Sequence, residues 1–398
     1  MALASAGRRA QSRTRCCRAA REAAAVPHEP APMTAIRSIA FKVTMGDMPR
    51  LGIVGFPNVG KTTLFNAITG LSALTGAHPY STTEPRLGVA SVPDPKLELA
   101  SNLEGSAKTT PATLELLDLP PVVPGQAGGR FLGQLREMEA LIVVLRAFGD
   151  PAISDEGLGH DPVGQAEELL LELTVADHQI FAKKAERVAK EATADSSRQA
   201  MALALSDAAR HLGDGEPLRT REWTDAAQES FRDLAPLTSK PAIWVINVDE
   251  FEPGTEGLIG KVAGVVPTGD VVVALSARIE EEGSALNAEE RAELFEGLGL
   301  GEGALAKMVG AAYQSLGLIS FYTLGPKEAR AWTVRAGAPV PEAAGKIHSD
   351  LERGFIRAEV AGIDEVIAAG GWDRVKPRTE GKDYRVAPGD VLVIRFSV

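Results

Sequence analysis

Eight consecutive residues, Gly55-Phe56-Pro57-Asn58-Val59-Gly60-Lys61-Thr62, satisfy the spacing GxxxxGK[ST]. The chemistry such a segment can do is phosphate binding. Backbone N–H groups from Asn58 to Thr62 can converge on α- and β-phosphates at a helix start, glycine lets the main chain approach, and the Lys61 ammonium reaches the β- and γ-phosphates. The Thr62 hydroxyl suits Mg²⁺. A Gly-rich turn carrying a solvated lysine would show the same letters, so the context decides. The apolar run Leu51 to Val54 reads as a strand and Thr63-Leu64-Phe65-Asn66-Ala67-Ile68 as a helix start, which is the setting the motif requires. Gly55, Asn58, Val59, Gly60, Lys61, Thr62 and Thr63 are therefore the expected nucleotide contacts, with Lys61 also a catalytic candidate.

Two further positions belong to the same chemistry. Asp118 closes the strand-like run Thr113 to Leu117, where a P-loop protein places the aspartate of DxxG near the magnesium shell. The glycine of that motif is replaced: Leu119-Pro120-Pro121 follows, and proline has no N–H to offer a γ-phosphate and a fixed φ that stiffens the loop. Binding is less affected by this change than switching and hydrolysis. Asn247-Val248-Asp249-Glu250 follows the run Ala242 to Ile246, at the place of the guanine-reading NKxD. Val248 stands for its lysine and Glu250 for its aspartate. No general base is evident; His160, in a Gly- and Asp-containing loop, is a candidate, although a lone loop histidine is more often simply solvated.

The elements that must position these residues are strands with helices between them. Leu51 to Val54, Leu87 to Val92, Thr113 to Leu117, Leu141 to Leu145, Ala242 to Ile246 and Val271 to Leu275 are apolar runs, several of them continuous and β-branched. Such runs predict a mostly parallel sheet with helices on both faces, an α/β nucleotide domain over residues 49–317. Leu169, Leu173, Ala176 and Ile180, then Met201, Leu205, Ala208 and Leu212, fall at a/d spacing, predicting an inserted α-helical hairpin over residues 160–235, or else two ordinary surface helices on the sheet. Short strands at Ile319 to Leu324, Ala331 to Val334, Phe355 to Val360, Asp383 to Val386 and Val391 to Phe396 predict a small α+β domain over residues 318–398.

Several of these strings resemble the YchF/Obg-like ATPase family. His78-Pro79-Tyr80-Ser81-Thr82-Thr83-Glu84-Pro85 is similar to its switch I, which implies that Thr82 binds magnesium. Asn247-Val248-Asp249-Glu250 resembles its NxxE, implying ATP in preference to GTP, and Ser276-Ala277-Arg278 resembles the loop that closes over the base. Val122 occupies the place of the family's apolar residue after DxxG. Ser320-Phe321-Tyr322-Thr323-Leu324-Gly325-Pro326, Gly354-Phe355-Ile356-Arg357-Ala358-Glu359-Val360 and Pro388-Gly389-Asp390-Val391 are similar to its C-terminal TGS domain, a β-grasp module. The resemblance runs over roughly residues 49 to 398. It implies a P-loop NTPase G domain, slow Mg²⁺-dependent hydrolysis, and association with the ribosome or ribosomal RNA. A nucleotide-gated binding protein with negligible turnover, and a true GTPase, are the alternatives.

Composition sets the remaining bounds. The chain has 398 residues, 44% apolar and 24% charged, with a net charge of −11. Residues 1 to 50 hold nine Lys or Arg against three Asp or Glu, so the remainder is strongly acidic. Residues 1–48 read as a basic tail, an upstream extension or a targeting peptide, outside the fold. The acidic remainder argues against broad nucleic-acid binding, and no DNA partner is expected. Arg330, Lys346, Arg357, Lys376, Arg378, Lys382 and Arg385, with Phe321, Tyr322, Trp332 and Trp372 among them, fit RNA contact, and fit solvated charges over core aromatics at least as well. The two cysteines, Cys16 and Cys17, are adjacent and form no disulfide framework or metal cluster. With no apolar run long enough to span a bilayer, a cytoplasmic protein without a membrane partner is expected.

Overall fold

The computed structural model describes residues 48–71, 85–123, 129–150, 159–192, 196–249, 255–298, 300 and 303–397. The basic tail of residues 1–47, Thr82 with the rest of its loop, and Glu250 lie outside them. The described residues belong to one unit, Ser38–Val398.

The apolar runs form a six-stranded sheet in the order β2-β4-β1-β5-β6-β7. Its strands are β1 (Arg50–Val54), β2 (Arg86–Ser91), β4 (Thr113–Asp118), β5 (Ala140–Arg146), β6 (Ala242–Asn247) and β7 (Val271–Leu275). β5 and β6 are buried at every residue, the result of a continuous apolar run covered by helices on both faces. β2 is the exception to parallel pairing: it runs antiparallel to β4 at the edge, with Gly88 and Ala90 buried while Leu87 and Val89 face out. α1 (Lys61–Thr69), α2 (Pro95–Glu104) and α3 (Gly129–Glu137) follow the first strands.

After β5 comes the 30-residue α4 (Pro162–Glu191), capped by Asp161, and then α5 (Ser196–Gly213) and α6 (Asp225–Phe231). The a/d pattern of α4 serves two partners in succession. Leu169, Leu173 and Ala176 join the core of the sheet. Phe181, Ala185 and Val188 instead meet Leu205, Ala208 and Leu212 of α5, with Trp223 and Phe231, in a separate small core. Only the outer half of α4 is thus paired with α5. At the change of partner lies a buried polar knot: Asp177 accepts from Arg136 Nη1 of α3 at 2.9 Å and from the N–H and hydroxyl of Thr238, both at 2.8 Å. Beside it the buried Lys240 ammonium donates to the carbonyls of Arg136 and Met138 at the end of α3.

α7 (Thr255–Ala263) and α10 (Ala304–Ser315) pack against β7, α8 (Ala277–Ser284) lies on α1 and α9 (Ala288–Gly297) on α8, and the chain then enters a second sheet. Its order is β11-β10-β12-β8-β9-β3, from β3 (Thr109–Thr110), β8 (Leu318–Thr323), β9 (Ala329–Arg335), β10 (Phe355–Gly362), β11 (Arg378–Glu380) and β12 (Asp390–Phe396). The β8–β9 hairpin, the parallel β12–β8 pair and α11 (Val340–Ile347) packed over Phe321, Val360 and Leu392 give the expected β-grasp arrangement. α12 (Ser349–Arg353) and α13 (Ile363–Ala369) complete it.

Two features of this sheet differ from expectation. Residues Asp383 to Val386 form no strand: Tyr384 O and Val386 N bond to Val340 N and Ala338 O, a loop contact, and the strand is the polar Arg378–Glu380 instead. The outermost strand, β3, comes from the nucleotide-domain half of the chain and pairs in parallel with β9. Around it the Tyr322 hydroxyl donates to Asp94 at 2.6 Å, Thr110 to Glu328 at 2.6 Å, and Trp372 N–H to Glu104 at 2.6 Å. Burial, with the Asp94 charge adding to it, pushes the Tyr322 phenol well above its ordinary range.

Candidate functional site

The strand-to-helix turn from β1 to α1 is shaped by its backbone. Asn58 adopts φ 59 and Gly60 φ 94, both left-handed, which folds the segment around its own amides and leaves Gly60 as the residue before the first helical turn. A side chain at Gly60 would also collide with Asn247 Nδ2. The result is a concave run of N–H groups at a helix start, the arrangement that holds anions. Lys61 is buried, and its Nζ donates to the Phe56 carbonyl at 2.7 Å across the turn. Burial lowers its pKa from 10.5 to about 8, the Asp118 charge opposing the shift.

Thr62 Oγ1 donates to Asp118 Oδ2 at 2.8 Å, joining the first helical turn to the end of β4. Asp118 is fully buried, and burial raises its pKa against the combined pull of Thr62, Lys61 and Arg86. Its other oxygen, Oδ1, is buried with no hydrogen-bond partner among the described residues. An acceptor left bare beside a threonine hydroxyl suits a hard divalent cation with its water shell, so these residues fit Mg²⁺. No group of three or more His, Cys, Asp or Glu side chains that could hold a metal ion by themselves comes together among the described residues.

Beyond Asp118 the chain is pinned. Leu119 is buried with its N–H on Ile53 O at 3.3 Å, and the buried Val122 donates its N–H to Gly55 O at 3.0 Å. Pro121 lacks an N–H, and the neighbouring amide is engaged by the P-loop itself.

The base side is organised by Asn247. Its Nδ2 donates to Val59 O at 2.9 Å and its Oδ1 accepts from Ala277 N at 2.9 Å. One buried side chain therefore ties the phosphate turn to the loop after β7. Ser276 caps α8, and Val248 N bonds Leu275 O at 3.0 Å. Asp249 and Arg278, both exposed, pair at 3.3 Å across the mouth. Sequence reading assigned no part to that pair, to Arg86, or to Gln165, whose amide brackets the end of β5 through Arg146 N and O.

Of the expected residues, Gly55, Asn58, Val59, Gly60, Lys61, Thr62, Thr63, Asp118, Asn247, Val248, Ser276 and Ala277 converge at the ends of β1, β4, β6 and β7. Thr82 and Glu250 fall outside the described residues. His160 is exposed in the turn before α4. In the C-terminal sheet Phe321 and Tyr322 are buried in the packing, whereas Trp332, with Arg330 over its ring at 4.1 Å, and Trp372 are only partly buried. Among the described residues no helix is long and apolar enough to cross a membrane.

A strand, a GxxxxGKT turn and a helix, with a strand-end aspartate on the threonine and an asparagine bridge to the base loop, define a P-loop nucleotide-binding protein. Comparison with known proteins agrees. A model described as a 50S ribosome-binding GTPase matches residues 50–158, and the model YchF-GTPase_C, described as a protein of unknown function, matches residues 318–397. The chain is 37% identical to the ribosome-binding ATPase YchF of Bacillus subtilis (strain 168), covering 87% of this chain and 99% of the relative. It is 31% identical to the Obg-like ATPase 1 of Rattus norvegicus, over 88% and 93%. The solved structure of the Schizosaccharomyces pombe YchF GTPase superposes with a TM-score of 0.78 at 28% identity, over 88% of this chain and 98% of that one. The chain belongs to the YchF family.

Proposed function

We propose that this protein is a Mg²⁺-dependent P-loop ATPase of the cytoplasm, slow in turnover, that associates with ribosomes. The observation that carries the reading is the asparagine bridge: Asn247 fixes the phosphate turn and the base loop in one frame, while Lys61 and Thr62 occupy the first helical turn. In that frame the amides of Asn58 to Thr62 hold the α- and β-phosphates, and Lys61 leaves the Phe56 carbonyl for the β- and γ-phosphates. Thr62 and Asp118 would hold Mg²⁺, with Thr82 as the ligand that family resemblance adds. When bound, the ion neutralises charge building on the phosphoryl oxygens. Val248 and the Ser276–Ala277 loop flank the base.

The preference for ATP rests on Glu250 in place of the guanine-binding aspartate, and the names of the relatives support it. Titration calorimetry with ATP and GTP, in the presence and absence of Mg²⁺, on the wild type and Glu250→Asp tests it. Tighter binding of GTP by the wild type would overturn the preference and favour a true GTPase. Ribosome association is tested by co-sedimentation in the ATP-, ADP- and nucleotide-free states, where absence from the pellet in all three refutes it.

A second reading is favoured by one observation. Because Val122 N is bound to Gly55 O and Pro121 has no N–H, the loop after Asp118 offers no free amide at positions 121 and 122 to a γ-phosphate. A nucleotide-gated binding protein with negligible turnover follows if no other group replaces it. Phosphate release over hours, with and without ribosomes, separates the two.

A further inference from the structure

The corner that lacks this amide holds a cation to which the phosphate motif gives no role. Arg86 opens β2, directly opposite Asp118 in the antiparallel β2–β4 pair. Opposed residues project from the same face of such a pair. That face is identified by Gly88, two residues along, where a Cβ would come within 2.5 Å of Thr69 and 2.8 Å of Phe65 on α1. Arg86 is thereby directed to the α1 side of the sheet, where Thr62 meets Asp118. Its charge reaches Asp118 and helps draw that carboxyl down against burial. One guanidinium nitrogen, Nη1, is closed off from solvent with no hydrogen-bond partner among the described residues. A buried charged donor without an acceptor is costly, and a ligand that brings anionic oxygens to it removes the cost.

We propose that Arg86 is a γ-phosphate ligand supplied in cis. Its guanidinium meets the terminal phosphoryl oxygens of a bound nucleoside triphosphate and replaces, with a charged donor, the amide that Pro121 removes. The inference rests on the nucleotide-binding reading above and adds to it the means by which this chain tells triphosphate from diphosphate. A planar fork of donors suits three equivalent oxygens, and an arginine at that place stabilises charge during phosphoryl transfer. In hydrolysis the oxygen of water bonds to the γ-phosphorus as the bond to the β,γ-bridging oxygen breaks. The products are the diphosphate, inorganic phosphate and a proton released to solvent, and Arg86 is unchanged throughout. The loop after Asp118 need not swing in this scheme, which accords with its pinned backbone.

The test is titration of ATP and of ADP, each with Mg²⁺, into the wild type, Arg86→Ala and Arg86→Lys, with single-turnover hydrolysis alongside. ADP affinity is expected to stay within about twofold in Arg86→Ala. ATP affinity is expected to fall roughly ten- to a hundredfold, the worth of hydrogen bonding to a charged group. Arg86→Lys should recover part of the affinity and little of the rate, because the fork geometry is lost. If Arg86→Ala binds both nucleotides as the wild type does, the inference is overturned while the P-loop reading stands. Parallel loss of ATP and ADP binding would make Arg86 a structural residue and overturns it as well. A wild type that binds neither nucleotide defeats the functional reading and this inference together. Should Arg86→Ala fail to fold, Arg86→Gln, which keeps a planar head without the charge, carries the same expected and refuting results.

Discussion

Raising the pH above 8 should loosen the grip of this protein on nucleotide while its fold gains stability from the same group. Lys61 is buried beneath the P-loop with a pKa lowered to about 8. A triphosphate needs the ammonium charged, and its own negative charge holds the proton there once bound. At pH 9 only about one free molecule in ten carries that proton, so affinity should be about tenfold weaker than at pH 7, or ~1.4 kcal/mol. The folding contribution has the opposite sign. The folded pKa lies below the unfolded value near 10.5, so between about pH 8 and 10.5 the unfolded chain binds more protons and stability rises with pH. The penalty is complete below about pH 8 and absent above 10.5, and each unit in the window is worth ~1.4 kcal/mol. Lys240, also lowered to about 8 by burial, adds to the stability trend but stands at the far end of α3 and should leave affinity alone. Calorimetric titration with ATP from pH 7 to 9.5, repeated in buffers of different ionisation enthalpy, reads both the affinity and the proton taken up. A dissociation constant that stays flat across that range, in protein still folded by circular dichroism, refutes the reasoning.

Asn247→Ala should leave Val59 O and Ala277 N buried and unpaired, at ~1–3 kcal/mol each, and weaken nucleotide binding and urea stability together; Asn247→Asp, which keeps the acceptor toward Ala277, should fall between. Asp177→Ala strands Arg136 in the interior and removes two bonds from Thr238, so a loss of ~3–5 kcal/mol is expected in denaturant titration; less than 1 kcal/mol would mean the knot between α3 and α4 is not holding.

The parts of the fold that could be read from the sequence are those whose physics is local. β5 and β6 are single apolar runs, and the phosphate turn announces itself because glycine, lysine and threonine must stand at fixed offsets. What could not be read depends on partners distant in the chain. The heptad residues of α4 look alike, yet Leu173 packs on a sheet and Val188 on α5. Asp383 to Val386 alternates like a strand, but Asp390 collects bonds from the Tyr384 hydroxyl and Ala387 N, and the Val386 amide turns to the Ala338 carbonyl. Arg378-Thr379-Glu380 carries no apolar signal and becomes a strand because β10 offers it an edge. At the candidate site the motif residues were legible one by one. The double duty of Asn247 was not, since it depends on a contact 188 positions away in the chain. Arg86 was invisible for the same reason, because only the β2–β4 register sets it against Asp118.

The two-residue strand β3 makes the C-terminal sheet a joint product of distant stretches of chain. Thr110 and Glu328 are 218 positions apart, and Ala329 N donates to Lys108 O at 2.9 Å. A polypeptide growing from its amino end must hold Thr109 and Thr110 in readiness until nearly all the rest has been made. Excised alone, residues 318–397 would lose the strand that pairs with Ala329 and Arg330, lengthening the unpaired margin of β9, and unpaired margins invite self-association. Moved elsewhere without residues 108–110, the region would leave the Ala329 amide and the Glu328 carboxylate without the partners they have here.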